Sequence, residues 1–244
     1  MTRLLTRAAV AAAALTLGAA TLGCGFIGNV TDAVDNLAAV GNLTDKLTKS
    51  ANLTFTARYD LVDGSGTATV VQQPPNAAYV GKDGTLILTS DSLLMCSGAS
   101  SGTAKVTCQR APNSAGAQAP AEYMTAVAGG GFISAPMAIT MIGAASIVPG
   151  VKIDESRRQI AGLSGTCLHA TGISSQQQAG AGNVDMKELT VCVADNGVLT
   201  SFSGVGTDDS HVGVELSSYS ATVDAAAFAP PKGAKVVDVT ELSA

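Results

Sequence analysis

The chain has 244 residues, of which 46% are hydrophobic and 14% are charged, and its net charge is −5. This acidic balance disfavours nucleic acid as a partner, because phosphates require a basic surface, and it disfavours a polybasic attachment to anionic lipid. The 27 Gly and the absence of Trp are typical of many strands and tight turns around an aliphatic core. The length suits one large β-rich domain or two small ones.

Residues 1–23 have the pattern of an export signal. Arg3 and Arg7 give a positive start without acidic residues, and residues 8–22 are apolar or small. A charged start followed by an apolar stretch of about 7–15 residues and a small residue before the cut is typical of a secretory signal peptide. The stretch is too short and too rich in Ala for a transmembrane helix, which needs about 20 strongly apolar residues. We therefore expect an exported, extracytoplasmic protein.

Cys24 follows Gly23 directly, which favours a bacterial lipoprotein signal over an ordinary cleaved signal that happens to contain a Cys. In such a signal the Cys24 thiol receives a diacylglycerol, residues 1–23 are removed, and the new amino terminus is usually acylated, for example with palmitate. Residues 24–244 carry 12 basic and 19 acidic side chains, so membrane attachment has to come from this lipid anchor. Residues 24–29 are then a short tether between the cell membrane and the domain.

The other four cysteines predict two disulfides, because an even number of cysteines in an exported protein is typical of disulfide pairing. Three pairings are possible. We expect Cys96–Cys108 and Cys167–Cys192, because each of these pairs encloses one turn between two strand-like segments. A zinc site is disfavoured, since the sequence has no C-x-x-C motif and only two His.

Residues 30–244 are expected to form a single β-rich domain that begins with a helix. Apolar residues recur there every three or four positions, which indicates one helical face, and Gly41-Asn42 is a point at which the helix would bend or split. The positions of this face are Val30, Val34, Leu37, Val40, Leu43 and Leu47.

Two groups of short strands follow, separated by an insertion. Alternation of apolar and polar residues, with turns at Asp63–Gly66 and at Asp83-Gly84, predicts an antiparallel sheet, sandwich or barrel. Asp195-Asn196-Gly197 predicts a further hairpin turn in the second group. The predicted strands are 53–61, 67–73, 77–82, 85–89, 92–96, 104–109, 151–160, 166–171, 184–193, 198–205 and 211–221, with a last extended run over 235–240.

The insertion, at about residues 121–148, is expected to form two helices after a Pro-, Ala- and Ser-rich linker over 111–120. Residues 121–128 predict a short helix, and residues 132–148 are apolar almost throughout. Met in this segment suits an adaptable surface for apolar ligands, but it equally suits the filling of a core that is poor in aromatic residues. The candidate residues for a ligand cavity are Met124, Phe132, Met137, Ile139, Met141 and Ile142.

The order of these segments resembles the LolA-like lipoproteins of actinobacteria, a group related in fold to the LppX and LprG lipoproteins and to the sensor RseB. The resemblance rests on 53–61 followed by Asp63-Gly64, on Gln72-x-Pro74-Pro75, and on the tail over 228–237 with its Phe-x-Pro-Pro-x-Gly-Ala pattern. It implies an α+β fold: a curved antiparallel sheet, or half-open barrel, with helices covering its concave face. Several members of this group carry lipids or lipoproteins in that cavity.

We expect no enzyme, cofactor or metal site. The chain has no G-x-S-x-G motif, and Gly129-Gly130-Gly131 lacks the Lys-Ser/Thr of a phosphate loop. His169 and His211 fall in strand patterns, where a single His is usually a surface residue and not a catalytic base. Asp208-Asp209 offers only two carboxylates, which is fewer than a calcium loop needs. Two functions remain: a carrier or holder of an apolar ligand such as a lipid, or a sensor or scaffold that binds another envelope protein and has no ligand cavity. The sequence does not identify a protein partner.

Overall fold

The computed structural model describes residues 25–97, 106–113, 133–173 and 186–239, with the backbone alone described over 25–34. The expectations for the signal peptide, Cys24, the helix over 121–128, Met124 and Phe132 lie outside these residues. The described helices are α1 (Gly25–Ser50), α2 (Ala135–Ser146) and a short 3₁₀ helix (Ala225–Phe228). The described strands are β1 (Phe55–Leu61), β2 (Thr67–Gln73), β3 (Asn76–Val80), β4 (Gly84–Leu88), β5 (Ser92–Ser97), β6 (Thr107–Pro112), β7 (Lys152–Ile160), β8 (Leu163–Thr171), β9 (Met186–Ala194), β10 (Leu199–Gly206), β11 (His211–Ser220) and β12 (Lys235–Asp238).

Helix α1 begins earlier than the sequence predicts. Residues 25–29, assigned above to the tether, form its start, and the helix continues through Gly41 and Asn42 without being split. Gly41 has no neighbouring atoms where a side chain would lie, so the helix passes this position on an open surface. Val40, Leu43 and Leu47 are buried as the periodicity predicts, whereas Leu37 is 57% exposed.

All twelve described strands belong to one sheet, in the order β12-β6-β5-β4-β3-β2-β1-β11-β10-β9-β8-β7. Neighbouring strands are antiparallel except for β12 and β6, which are parallel. Strand β7 approaches β11 although three strands lie between them in the sheet order, as expected for a strongly curved sheet. The large curved, open sheet agrees with the predicted architecture.

Strand β6 lies later in the chain than predicted and includes Ala111 and Pro112, which were assigned to the linker. Pro112 is opposite Ser92 of β5, and it lies beyond the last residue that pairs with β12, Arg110. A Pro is tolerated here because residue 112 has no partner on the β12 side of the strand, so no backbone N–H is needed there. The pairing with β12 joins residues more than 120 positions apart, which local patterns do not reveal.

One face of the sheet, here called the helix-side face, is apolar from β8 to β5. Residues directly opposite each other on paired strands share a face, so the pairing of the strands traces this face across the sheet. Helix α1 lies on it, since Lys46 donates to the Thr166 hydroxyl of β8. Its members across the sheet are Leu168, Val191, Phe202, Val214, Leu61, Tyr59, Ala68, Val70, Tyr79, Leu86 and Met95.

The opposite face is covered at β2–β5 by the C-terminal segment. Val71, Ala78, Ile87 and Leu94 lie side by side on these four strands. They form a second, smaller apolar cluster that also includes Phe228 of the 3₁₀ helix. Strand β4 is therefore buried on both faces.

Both predicted disulfides are present in the structure. Cys96–Cys108 joins directly opposite residues of β5 and β6, and Cys167–Cys192 joins directly opposite residues of β8 and β9. Each bond thus links two neighbouring strands of the sheet, one in each group of strands.

A candidate apolar site at helix α2

Helix α2 forms where the sequence predicts an apolar helix, and its boundaries have local causes. The Ser134 hydroxyl accepts a hydrogen bond from the Met137 backbone N–H at 3.4 Å, and Pro136 occupies the first turn, where a missing donor costs nothing. The helix ends at Ser146, and Pro149-Gly150 follows shortly after it. The 12 residues of α2 include no charged side chain.

The four predicted cavity residues that the structure describes all lie on α2, but they differ in burial. Ile142 is completely buried in the main core, so its first role is packing. Met137, Ile139 and Met141 are only partly buried and pack against the same core. These three side chains are therefore the part of α2 that retains apolar surface for a ligand.

The two helices lie at one end of the sheet. Helix α1 packs on α2, and the main contacts of both helices with the sheet are on β7, β8 and β9. The buried Asn36 side chain of α1 donates to the Val151 carbonyl at 3.0 Å, just before β7 begins. The helix-side face continues beyond these strands through β10, β11 and β1 to β5. In the described part of the chain, the predicted helical cover thus reaches only one end of this face.

A turn and an ion-pair network hold α1 against the sheet. Lys46 contacts Asp195 at 3.1 Å, and the Arg157 guanidinium of β7 binds the same carboxylate with two hydrogen bonds of 3.0 and 2.6 Å. These hydrogen bonds lower the pKa of Asp195, and the one from Arg157 has the larger effect. In the predicted turn, Gly197 has a φ of +96°, and a Cβ there would collide with the Lys46 carbonyl oxygen. Gly is therefore required for the close approach of this turn to the helix.

Two tyrosines that the sequence analysis did not single out add polar groups to the helix-side face. Tyr59 is buried and donates its hydroxyl to the Leu199 carbonyl at 2.8 Å. Tyr79 is half-buried and packs against the same core. Burial raises the pKa of both phenols above the ordinary value of 10.0, so both remain protonated hydrogen-bond donors at neutral pH. The signal available in the sequence was the spacing of two residues. Tyr59 follows Ala57 at this spacing in β1, and Tyr79 follows Ala77 at this spacing in β3, so each Tyr shares a face with apolar residues.

The other polar candidates have ordinary surface partners. His169 is 3.7 Å from Glu188, and both side chains are exposed. Asp208 accepts from the Ser210 backbone N–H, and Asp209 pairs with Lys187. Within the described ranges, no three His, Cys, Asp or Glu side chains come close enough to hold a metal ion.

A pocket of about 190 Å³ lies at the opposite end of the sheet from the helices. Its lining residues, on and beside β5, β6 and β12, are Asp91, Ser92, Arg110, Ala111, Pro112 and Asp238. Arg110 and Asp238 form an ion pair across it at 3.7 Å. The pocket includes none of the predicted cavity residues.

Comparisons with solved structures give similarities in fold. No protein-family model matches the chain, and no curated protein matches it. Among solved structures, the chain is similar to MucB in its complex with MucA(peri), with 9% sequence identity and a TM-score of 0.42. The match covers 82% of this chain and 61% of the MucB chain, so this chain spans less than two thirds of MucB. A similarity of this degree carries no argument about the site. Among the described residues, no helix has the length and apolar character needed to cross a bilayer.

Proposed function

We propose that this chain is an exported lipoprotein, anchored through Cys24 at the extracytoplasmic face of the cell membrane, that holds an apolar ligand between α2 and the helix-side face. The observation that carries the proposal is that Met137 and Met141 of α2, a helix without charged side chains, pack against the main core and are only partly buried. They leave apolar surface beside the helix-side face, which is where an alkyl chain would bind. The ligand is a lipid or a lipid-modified molecule, and no catalytic step is involved.

The physical basis of binding is the removal of an acyl chain from water. Burial of apolar surface contributes about 25 cal/mol per Å², or about 0.8 kcal/mol per CH₂ group, without any directional contact. Met137 and Met141 supply unbranched, polarisable side chains that adapt to an alkyl chain. Ile139, also partly buried on α2, lies about 200° around the helix from Met137 and therefore on its other flank.

Native mass spectrometry of the full chain tests this proposal, because it strips the detergent micelle from the protein and retains bound ligand. We expect hexadecane to bind the wild type. Met137→Asp and Met141→Asp should weaken that binding at least tenfold, because a charge without a partner is costly beside an alkyl chain. Thr140→Asp on the exposed side of α2 is the matched control and should leave binding unchanged. Absence of hexadecane binding to the wild type would overturn the proposal.

The anchor is tested separately. Cys24→Ser removes the acceptor thiol, so the protein should no longer partition with membranes in a detergent phase separation. Attachment by two or more acyl chains is stable because each buried CH₂ contributes about 0.8 kcal/mol. Unchanged partitioning of the variant would contradict a lipid anchor at this residue. The two disulfides, which are typical of oxidising compartments, support the extracytoplasmic location.

A second candidate function, a scaffold or sensor for another envelope protein, is favoured by two exposed apolar side chains on the helices. Leu37 of α1 is 57% exposed, and Ile147, directly after α2, is 69% exposed. Each of these side chains is a place where an apolar surface of a protein partner would bind. Under this function, Leu37→Glu and Ile147→Glu should abolish capture of such a partner, and the wild type should not bind hexadecane.

A further inference from the structure

The Tyr79 hydroxyl is the feature of the helix-side face that packing does not explain. The ring packs against the main apolar core, and its neighbours on the paired strands are Val70 and Leu86. A hydroxyl in such surroundings is normally paired, because burying it without a hydrogen bond costs free energy. Among the described residues, however, the Tyr79 hydroxyl has no hydrogen-bond partner, in contrast to Tyr59, which donates to Leu199.

This hydroxyl must therefore reach an opening. No side-chain oxygen or nitrogen in the described part of the chain is both fully buried and unpaired, so the Tyr79 oxygen remains accessible at its tip. Burial of the ring is nevertheless sufficient to raise the pKa of the phenol. Tyr79 thus has a buried ring and an accessible donor, the arrangement of a polar group at the mouth of an apolar site.

Several of the side chains that surround this donor on the helix-side face are small. Tyr59 and Tyr79 lie on either side of β2, where Tyr59 is opposite Ala68 and Tyr79 is opposite Val70. Ala57 and Ala77 stand next to them on the same face. Three of the immediate neighbours on this face are thus Ala, the smallest side chain after Gly. Tyr79 also adds to the effect of burial in raising the pKa of Tyr59.

The absence of charged side chains around Tyr79 indicates what kind of ligand group would bind its hydroxyl. By the alternation of side chains, the positions of β1–β5 on the helix-side face carry only apolar residues, tyrosines and the uncharged Gln72, Ser97 and Gly84. An anionic head group placed here would have no cation on these strands to compensate its desolvation. A neutral acceptor needs only a donor, which a phenol supplies.

We propose that Tyr79 is the specificity-determining residue of the ligand site and donates a hydrogen bond to an uncharged ester carbonyl of an acyl lipid. This inference rests on the proposed function, because it assigns the head-group position of the same apolar ligand. It selects neutral acyl esters over free fatty acids and over plain hydrocarbons. Tyr59 takes no part in this recognition, since its hydroxyl is already bound to Leu199.

Three ligands of equal chain length separate recognition of the head group from binding of the chain: hexadecane, methyl palmitate and palmitate. Their dissociation constants are measured by native mass spectrometry with the full chain, for the wild type, Tyr79→Phe and Tyr59→Phe. Tyr59 is the matched control, because it is a tyrosine of the same face whose hydroxyl already donates to the Leu199 carbonyl. Urea unfolding of each variant confirms that it is folded.

We expect Tyr79→Phe to weaken binding of methyl palmitate roughly two- to tenfold, which is the contribution of one neutral hydrogen bond. Binding of hexadecane should be unchanged. Tyr59→Phe should leave the affinity for both ligands unchanged, because its hydroxyl is bound within the protein. The inference is overturned if hexadecane and methyl palmitate both bind and Tyr79→Phe leaves the ester affinity unaltered, while the proposed function stands. A larger loss for palmitate than for the ester overturns the choice of an uncharged acceptor. If hexadecane does not bind the wild type, the proposed function itself fails.

Discussion

Replacement of Ile142 by Ala separates the packing role of α2 from its role in binding. Ile142 is 0% exposed and belongs to the main core, so truncation removes buried methyl and methylene groups and leaves a cavity. Such a substitution costs about 2–5 kcal/mol, the upper part of the range applying where the surroundings cannot collapse. Met141, one residue earlier, is only partly buried, and full burial of a Met contributes about 1.5–3 kcal/mol. Met141→Ala should therefore cost about 1 kcal/mol.

Urea unfolding of the full chain, followed by circular dichroism, measures both costs. Ile142→Ala should shift the midpoint strongly to lower urea, and Met141→Ala only slightly, at an unchanged dependence on urea concentration. The order should reverse for hexadecane, with Met141→Ala showing the larger relative loss of affinity in conditions where both variants are folded. Equal loss of stability in the two variants would refute the distinction between a packed and a ligand-facing side of α2.

Three further results are expected. Gly197→Ala should destabilise the protein by more than 1 kcal/mol, because the turn needs a positive φ and close contact with α1. Gly41→Ala, on an open helix surface, should stabilise it by about 0.5–1 kcal/mol. The urea midpoint should therefore shift down for Gly197→Ala and up for Gly41→Ala, and shifts of the same sign would contradict this. Removal of the β8–β9 disulfide by Cys167→Ala with Cys192→Ala should cost about 3 kcal/mol in the chain-entropy model, and a change below 1 kcal/mol would contradict it. Because burial raises the pKa of Tyr59, the folded protein keeps a proton that the unfolded chain loses above about pH 10, so stability should fall as the pH rises beyond that value. Tyr59→Phe should make that fall shallower, and an unchanged slope between pH 10 and 12 would contradict the assignment.

Individual strands and turns could be predicted from the sequence because short patterns of neighbouring residues define them. Strand β2 has the predicted bounds, Thr67–Gln73, since alternation and flanking turns define a short strand directly. The Asp195–Gly197 turn was equally visible, although its contact with Lys46 was not. The four cavity candidates on α2 were predicted from composition alone, and composition does not distinguish the buried Ile142 from the half-buried Met141.

The remaining features depend on contacts between distant segments. The parallel pairing of β12 with β6 and the covering of β2–β5 by the 3₁₀ helix bring the C-terminal segment back to the first group of strands. No period or turn signal encodes such contacts. Tyr79 was missed for the same reason, because its significance depends on the register that places it beside Val70 and near Tyr59.

Photolabelling with a palmitate methyl ester that carries a diazirine in its acyl chain tests the central claim most directly. After irradiation of the full chain, peptide mapping identifies the labelled residues. The account predicts labels on α2, at Met137 and Met141, and on the helix-side face of β1–β3, with loss of both when excess unlabelled methyl palmitate is added. Labels confined to the opposite face of the sheet, or labelling that unlabelled ester does not reduce, would contradict an apolar ligand site between α2 and this face.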